Sequence, residues 1–290
     1  MRTRTRTTLA AAIGALALSL VGAPAVAATH AAQPEKVRII TTAHRGASAY
    51  APENTLAAFE TGIAQKATWI ESDVQLTADG VPILMHDTTL TRTTDVEQVF
   101  PDRAPWRVGD FTLAEIKQLD AGSWFGEEFA GEPVPTLAEM IEQVRSSRAG
   151  IIMELKSPEL YPGVERAVAD VFRSFPGYMQ SSLANGRLAI QSFNWESMAT
   201  YRALEPEVPI GLLGTPSLDQ LPELGTWADQ INPNYRTVTP EFVDAVHAAG
   251  MEINPYTVND PAIMAQLLDA GVDGIITDRP DVLEALLHAR

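Results

Sequence analysis

The chain has 290 residues, a formal net charge of −16, 20% charged residues and no cysteine. That excess of acid excludes nucleic acid and anionic membrane as broad docking partners, and an anionic substrate would need a local cluster of cations to draw it in. The lack of cysteine excludes disulfides and a lipid-modified cysteine, so the fold must rest on its core alone.

The N-terminus opens with Arg2, Arg4 and Arg6, continues with an apolar run from Leu9 to Val21 and closes on Ala25-Val26-Ala27. Basic, apolar, then small residues is the layout of a signal peptide over residues 1–27, which predicts an exported protein, secreted or periplasmic. The apolar run is 13 residues long, short of the roughly 20 that a membrane span needs, so no transmembrane anchor is expected. No adjacent arginine pair is present, which favours the general export route. Cleavage there leaves residues 28–290, roughly 260 in number, as a single predicted domain.

From there strand-like runs alternate with amphipathic, helix-like ones. The first run, 37–43, stops at His44-Arg45-Gly46, and a helical pattern covers Asn54–Gln65. The run 68–75 carries Glu71 and Asp73, and 82–86 ends at His86. Only Leu76–Val81 joins these two runs, too short for a parallel crossover, so they must form an antiparallel hairpin. A turn around Asp79-Gly80 gives pairing sums near 159 and sets Asp73 across from His86. Asp87 to Pro135 breaks the rhythm as an aromatic-rich insertion, expected to form a small subdomain over the barrel mouth. Helix Leu137–Arg148 then precedes strand 150–155, with Glu154 at its end and Lys156 just beyond. Strands 187–192, 208–213, 228–232, 251–257 and 273–277 follow, with helices such as Pro240–Ala249 and Pro261–Ala270 between them.

Nine strands less the hairpin partner leave eight parallel ones. The predicted fold is α/β, a (β/α)8 TIM barrel with an extra antiparallel hairpin strand and an inserted subdomain. An open doubly wound sheet is the alternative, but no glycine-rich dinucleotide loop follows the first strand.

Residues two apart on a strand share a face, so Glu71 and Asp73 point together, as do Glu154 and Lys156. Both faces of a barrel strand are buried, and converging buried carboxylates repel. A hard divalent cation on Glu71, Asp73 and Glu154 resolves the repulsion; ion pairs with Arg45 and Lys156 are the alternative. His44 and His86 end their strands beside this cluster, where a barrel places chemistry, and can exchange protons with a substrate. Arg45 and Lys156 supply a fork and a point charge for a phosphate group. Together these residues are what metal-assisted phosphodiester cleavage requires.

The motifs Ala43-His44-Arg45-Gly46, Pro52-Glu53-Asn54-Thr55, Glu71-Ser72-Asp73-Val74, His86-Asp87, Leu90–Thr94, Glu154-Leu155-Lys156, Gln191-Ser192-Phe193 and Gly271–Asp278 resemble, in this order, the glycerophosphodiester phosphodiesterase family. The resemblance spans about Ile39 to Pro280. Phe100–Arg103 and Asp110–Leu113 resemble its exported, calcium-using bacterial branch. It implies metal ligands Glu71, Asp73 and Glu154, an acid–base pair His44 and His86, and phosphate contacts from Arg45 and Lys156. The cation would be calcium, or alternatively magnesium. Gln191 and Tyr256 would line the substrate site, and Tyr256 stands where relatives often carry tryptophan. Glu53 would either hydrogen-bond behind the site or orient the first helix. The implied reaction releases glycerol 3-phosphate from glycerophosphodiesters. A lysophospholipid substrate is the alternative, with Leu212, Leu213, Trp124, Phe125 and Phe129 as candidate acyl contacts. A non-catalytic phosphodiester-binding barrel is a third reading, from which one would expect a lost histidine or acid.

Overall fold

The computed structural model describes residues 39–290; the predicted signal peptide lies outside them. Strand β1 (Ile40–Ala43) sits between β2 (Trp69–Leu76) and the last strand, β9 (Gly274–Thr277), in parallel with both. From β2 the sheet continues through β4 (Gly150–Leu155), β5 (Leu188–Ser192), β6 (Ile210–Leu213), β7 (Gln230–Asn232) and β8 (Glu252–Ile253), all parallel. Hydrogen bonds from Asp273 N to Ile253 O (3.1 Å) and Ile276 N to Pro255 O (3.0 Å) draw β9 to β8. The result is a nearly closed eight-stranded parallel barrel, with helices in the connections. The alternative of an open doubly wound sheet is not what forms.

Local chemistry explains the alternation. Every residue of β2 and β4 is buried, as expected of strands covered on both faces. Helices begin where a side-chain oxygen can satisfy free N–H groups. Thr136 and Glu139 form a capping box on Leu137–Val144, and Thr239 and Asp260 cap the helices beginning at Pro240 and Pro261. On helix Val164–Arg173 the buried Val164, Val168 and Phe172 recur every four residues, one apolar stripe facing the sheet. Inside the barrel Trp69, Ile152 and Ala189 form an apolar plug. Two residues further along each strand, on the same face, stand Glu71, Glu154 and Gln191. The register pairs Asp73 with Glu154 and Glu154 with Gln191, so polar groups form a row above the plug.

The hairpin forms as the short connection requires: β3 (Pro82–Leu84) pairs antiparallel with β2 and with no other strand. Its register differs from the expected one by a residue. Val74 pairs with Leu84, so Asp73 lies opposite Met85, whose N–H donates to Asp73 O at 2.9 Å. The reason is the turn. Thr77 N bonds Val81 O at 3.1 Å, closing a three-residue loop, Ala78-Asp79-Gly80, in place of a two-residue turn. Gly80 supplies the positive φ (77°) that this loop needs.

The insertion after His86 carries short helices at Val96–Val99 and Leu113–Ile116. It builds its own apolar cluster from Leu90, Val96, Val108, Phe111, Ile116, Leu119 and Val134, packed on Ile83 and Met85 of the hairpin. Its place is beside the hairpin, which answers the expectation that it would cover the mouth.

Candidate active site

A cavity of about 190 Å³ opens at the C-terminal ends of the strands, lined by His44, Arg45, Glu71, His86, Glu154, Lys156, Gln191, Phe193, Leu213, Tyr256, Thr257 and Ile276. All but Asp73 of the predicted site residues line it, and Asp73 is buried directly beneath. Among the described residues, none of the insertion from Thr88 to Pro135 lines this cavity. Trp124, Phe125 and Phe129 instead stack edge to face on one another, at 5.6 and 5.5 Å between ring centres. Of the candidate acyl contacts only Leu213 reaches the cavity wall.

The three acids converge. Glu71, Asp73 and Glu154 each offer an oxygen, and these oxygens lie within 4.8 Å of one another. Burial together with the neighbouring Asp73 charge pushes the Glu154 carboxyl up to about 8, and burial, Asp73 and Glu154 raise that of Glu71. Burial works against ionising Asp73 too, but Arg45, Lys156 and His86 outweigh it and hold the carboxyl at about 2. Both readings of the acids therefore have a footing: Arg45 Nε is 3.3 Å from Asp73, and Lys156 Nζ is 2.8 Å from Glu154 and 3.6 Å from Asp73. The cations do not satisfy the cluster, however. Asp73 Oδ1 is buried without a hydrogen-bond partner, and the Glu71 and Glu154 carboxyls are driven toward protonation by burial and by the charge of Asp73. An oxygen-only set with an orphaned carboxylate oxygen fits a hard divalent cation.

Each histidine is braced by a carboxylate. His44 Nδ1 lies 2.6 Å from Asp278 Oδ1, and Asp278 also accepts from Ser48 Oγ at 2.9 Å and Asn259 Nδ2 at 2.5 Å. Burial opposes ionisation of Asp278, yet the hydrogen bond and charge of His44, with Asn259 and Ser48, hold it at about 2. His86 Nδ1 lies 2.7 Å from Asp87 Oδ1. The Arg92 hydrogen bond, partly offset by burial, and that of His86 keep Asp87 at about 2. A ring that donates from Nδ1 to a carboxylate presents Nε2 as its working atom. Burial, then the positive charges of Arg45 and Lys156, lower the pKa of His86 despite the pull of Asp73.

The loops after β1 and β4 support this arrangement under strain. Arg45, Asn54 and Ser157 are non-glycine residues with left-handed backbones (φ 54°, 58° and 43°), a conformation costing roughly 1–2 kcal/mol each. At Arg45 it turns the backbone N–H onto Glu71 Oε2 at 2.8 Å. At Asn54 it sends the side chain inward, Nδ2 to Asp73 Oδ2 at 2.9 Å and Oδ1 accepting from Ser72 Oγ at 2.6 Å. Gly46 makes the bend possible: a Cβ there would sit 2.6 Å from the Ala58 backbone. Glu53 bridges two arginines, Arg45 Nη1 at 2.9 Å and Arg92 Nη1 and Nη2 at 2.9 and 2.7 Å. It therefore ties the insertion to the first loop.

Gln191 and Tyr256 stand where expected. Gln191 Oε1 accepts from Asn232 Nδ2 at 2.8 Å, and Tyr256 packs edge-on against Phe193 with ring centres 5.9 Å apart. His247 and His288 lie away from the cavity, bonded to Asp273 and to the Glu284 carbonyl; His30 is outside the described residues. Sequence patterning alone assigns no role to Asp278, Asp87, Arg92 and Asn54, which the structure places around the site. A carboxylate one position past a barrel strand was the available signal for Asp278.

A sequence profile of the glycerophosphoryl diester phosphodiesterase family matches residues 44–282. The chain belongs to this family. A glycerophosphodiester phosphodiesterase of Bacillus subtilis is 38% identical over 279 residues, covering 91% of this chain and 92% of that protein. One from Caldanaerobacter subterraneus is 38% identical over 255 residues, 87% of this chain and 99% of that one. Among solved structures, an Oleispira antarctica phosphodiesterase in complex with the product sn-glycerol-3-phosphate superposes with a TM-score of 0.75. It shares 30% identity and covers 87% of this chain and 97% of that one. The glycerophosphodiester phosphodiesterase barrel is thus a phosphoric diester hydrolase, and the non-catalytic alternative falls away.

Proposed function

We propose that the chain hydrolyses glycerophosphodiesters to glycerol 3-phosphate and an alcohol, with His44 and His86 as the proton-transfer pair and a divalent cation on Glu71, Asp73 and Glu154. The observation that carries this reading is that both carboxylate-braced imidazoles open into one cavity with the acid cluster. The cation, when bound, neutralises charge building on the phosphoryl oxygens. Calcium is the ion proposed and magnesium the alternative, since three carboxylates without nitrogen or sulfur donors suit either.

The residues of the chain supply the remainder. Arg45 and Lys156 orient the phosphate group and add to the positive field that draws an anion into a strongly acidic protein. His86, whose pKa burial lowers, takes a proton from the attacking water as the water oxygen bonds to phosphorus. His44 gives its proton to the alcohol oxygen as the other phosphorus–oxygen bond breaks. Asp278 and Asp87 keep the two rings in the required orientation and offset the positive charge each ring carries in turn. Export, with residues 1–27 removed as a signal peptide, rests on the basic, apolar, then small-residue order of the N-terminal sequence.

A lysophospholipid would need an acyl path, for which the cavity offers Leu213, Phe193 and Tyr256. The purified protein incubated with glycerophosphocholine and, separately, with lysophosphatidylcholine is expected to release sn-glycerol 3-phosphate from the first. Lysophosphatidate from the second with no glycerol 3-phosphate from the first would reverse the assignment.

A further inference from the structure

A second hollow, about 530 Å³, adjoins the catalytic cavity; Tyr256 and Thr257 line both. Its other walls include Asn234, Tyr235, Arg236, Asn259 and Asp260. The floor between the two spaces is rigid: Asn234 pairs with Tyr256 in a parallel bridge, Tyr235 N donates to Tyr256 O at 3.0 Å, and Tyr256 N to Pro233 O at 3.0 Å. The catalytic cavity, about 190 Å³, is smaller than the roughly 300–1,000 Å³ that encloses an ordinary organic ligand. It has room for the phosphate and one substituent of a diester, and the adjoining hollow across Tyr256 offers space for the other.

The groove is charged in a lopsided way. Asp260 is its carboxylate, and Oδ1 of that group accepts from Ala262 N at 2.7 Å and Ile263 N at 3.2 Å, at the N-terminus of helix Pro261–Asp269. Its charge is thus met by the helix end. Arg236 is the cation. Its guanidinium lies over the Tyr235 ring, 4.6 Å from the ring centre, and no salt bridge to it occurs among the described residues. Asn259 is already committed, its Oδ1 accepting from Asp278 N and its Nδ2 donating to Asp278. What a leaving group meets here is an aromatic platform with one uncompensated guanidinium.

Building on the phosphodiesterase reading above, we propose that this groove is the alcohol subsite and that Arg236 selects diesters whose alcohol carries an anionic group. Glycerophosphoserine and glycerophosphoethanolamine make the cleanest pair, because they differ by one carboxylate. An exposed ion pair on a stacked arginine supports a preference of roughly three- to fivefold in kcat/KM for the serine diester. The ratio of the two substrates, measured on one enzyme sample, is independent of how much of that sample is folded. Arg236→Ala is expected to bring the ratio to about one, and Arg236→Glu to invert it in favour of ethanolamine. A wild-type ratio of one, or a ratio that Arg236→Glu leaves in place, overturns the subsite while leaving the hydrolase reading intact. If the wild type turns over neither diester, the hydrolase reading itself fails, and the subsite with it.

Discussion

His86→Ala is expected to lower kcat by at least about 10²-fold with little change in KM, and His44→Ala to do the same. Both rings lie at the cavity rather than in a packed core, and the carboxylates they leave behind keep other partners. Asp87 retains Arg92, and Asp278 retains Ser48 and Asn259. Circular dichroism and the thermal midpoint should therefore change little. The pH profile adds a check on the role of His86. A base must be unprotonated, so kcat/KM falls as pH drops through its pKa, which burial places below the ordinary imidazole value of 6.5. The acid limb is accordingly expected to have its midpoint below 6.5, and the requirement for a protonated His44 sets the fall on the alkaline side. Turnover within tenfold of wild type in both alanine variants would remove the histidines from the mechanism.

The second large effect concerns the cation. Asp73→Asn removes the one carboxylate of the three that the surrounding charges keep firmly ionised, and replaces half of its oxygen donors with an amide. Calcium affinity by titration calorimetry is expected to fall by at least about 10²-fold, and activity with it, beyond the 10- to 100-fold typical of losing an outer partner. Arg45 keeps Glu53 at 2.9 Å and Lys156 keeps Glu154 at 2.8 Å, so the fold should survive at a cost of about 1–3 kcal/mol. Wild-type calcium affinity in this variant would take Asp73 out of the cation site and leave it as an ion-pair partner only.

Much of this site was legible in the chain because period-two spacing and strand ends are local properties. Glu71 with Asp73, and Glu154 with Lys156, share faces by that rule, and the six residues from Leu76 to Val81 force a hairpin. The hairpin register was not legible, since it depends on whether Thr77 closes a two- or three-residue loop, a choice made by its hydrogen bonds to Val81. Asp278 escaped notice for another reason. It lies 234 residues from His44, and only the meeting of the first and last strands brings them together. Asn54 reads as the start of a helix, whereas its left-handed backbone keeps it outside the helix and turns its amide onto Asp73. The place of the insertion turned on an apolar cluster that no short-range pattern reveals, and on the Arg92–Glu53 pair between segments 39 residues apart.

The most direct test of one metal-assisted site is release of sn-glycerol 3-phosphate from glycerophosphocholine by chelator-treated protein, followed by return of calcium or magnesium. Loss of release under chelation and its recovery on adding back the ion is the expected result. Undiminished release from protein shown by elemental analysis to be free of divalent metal would contradict it.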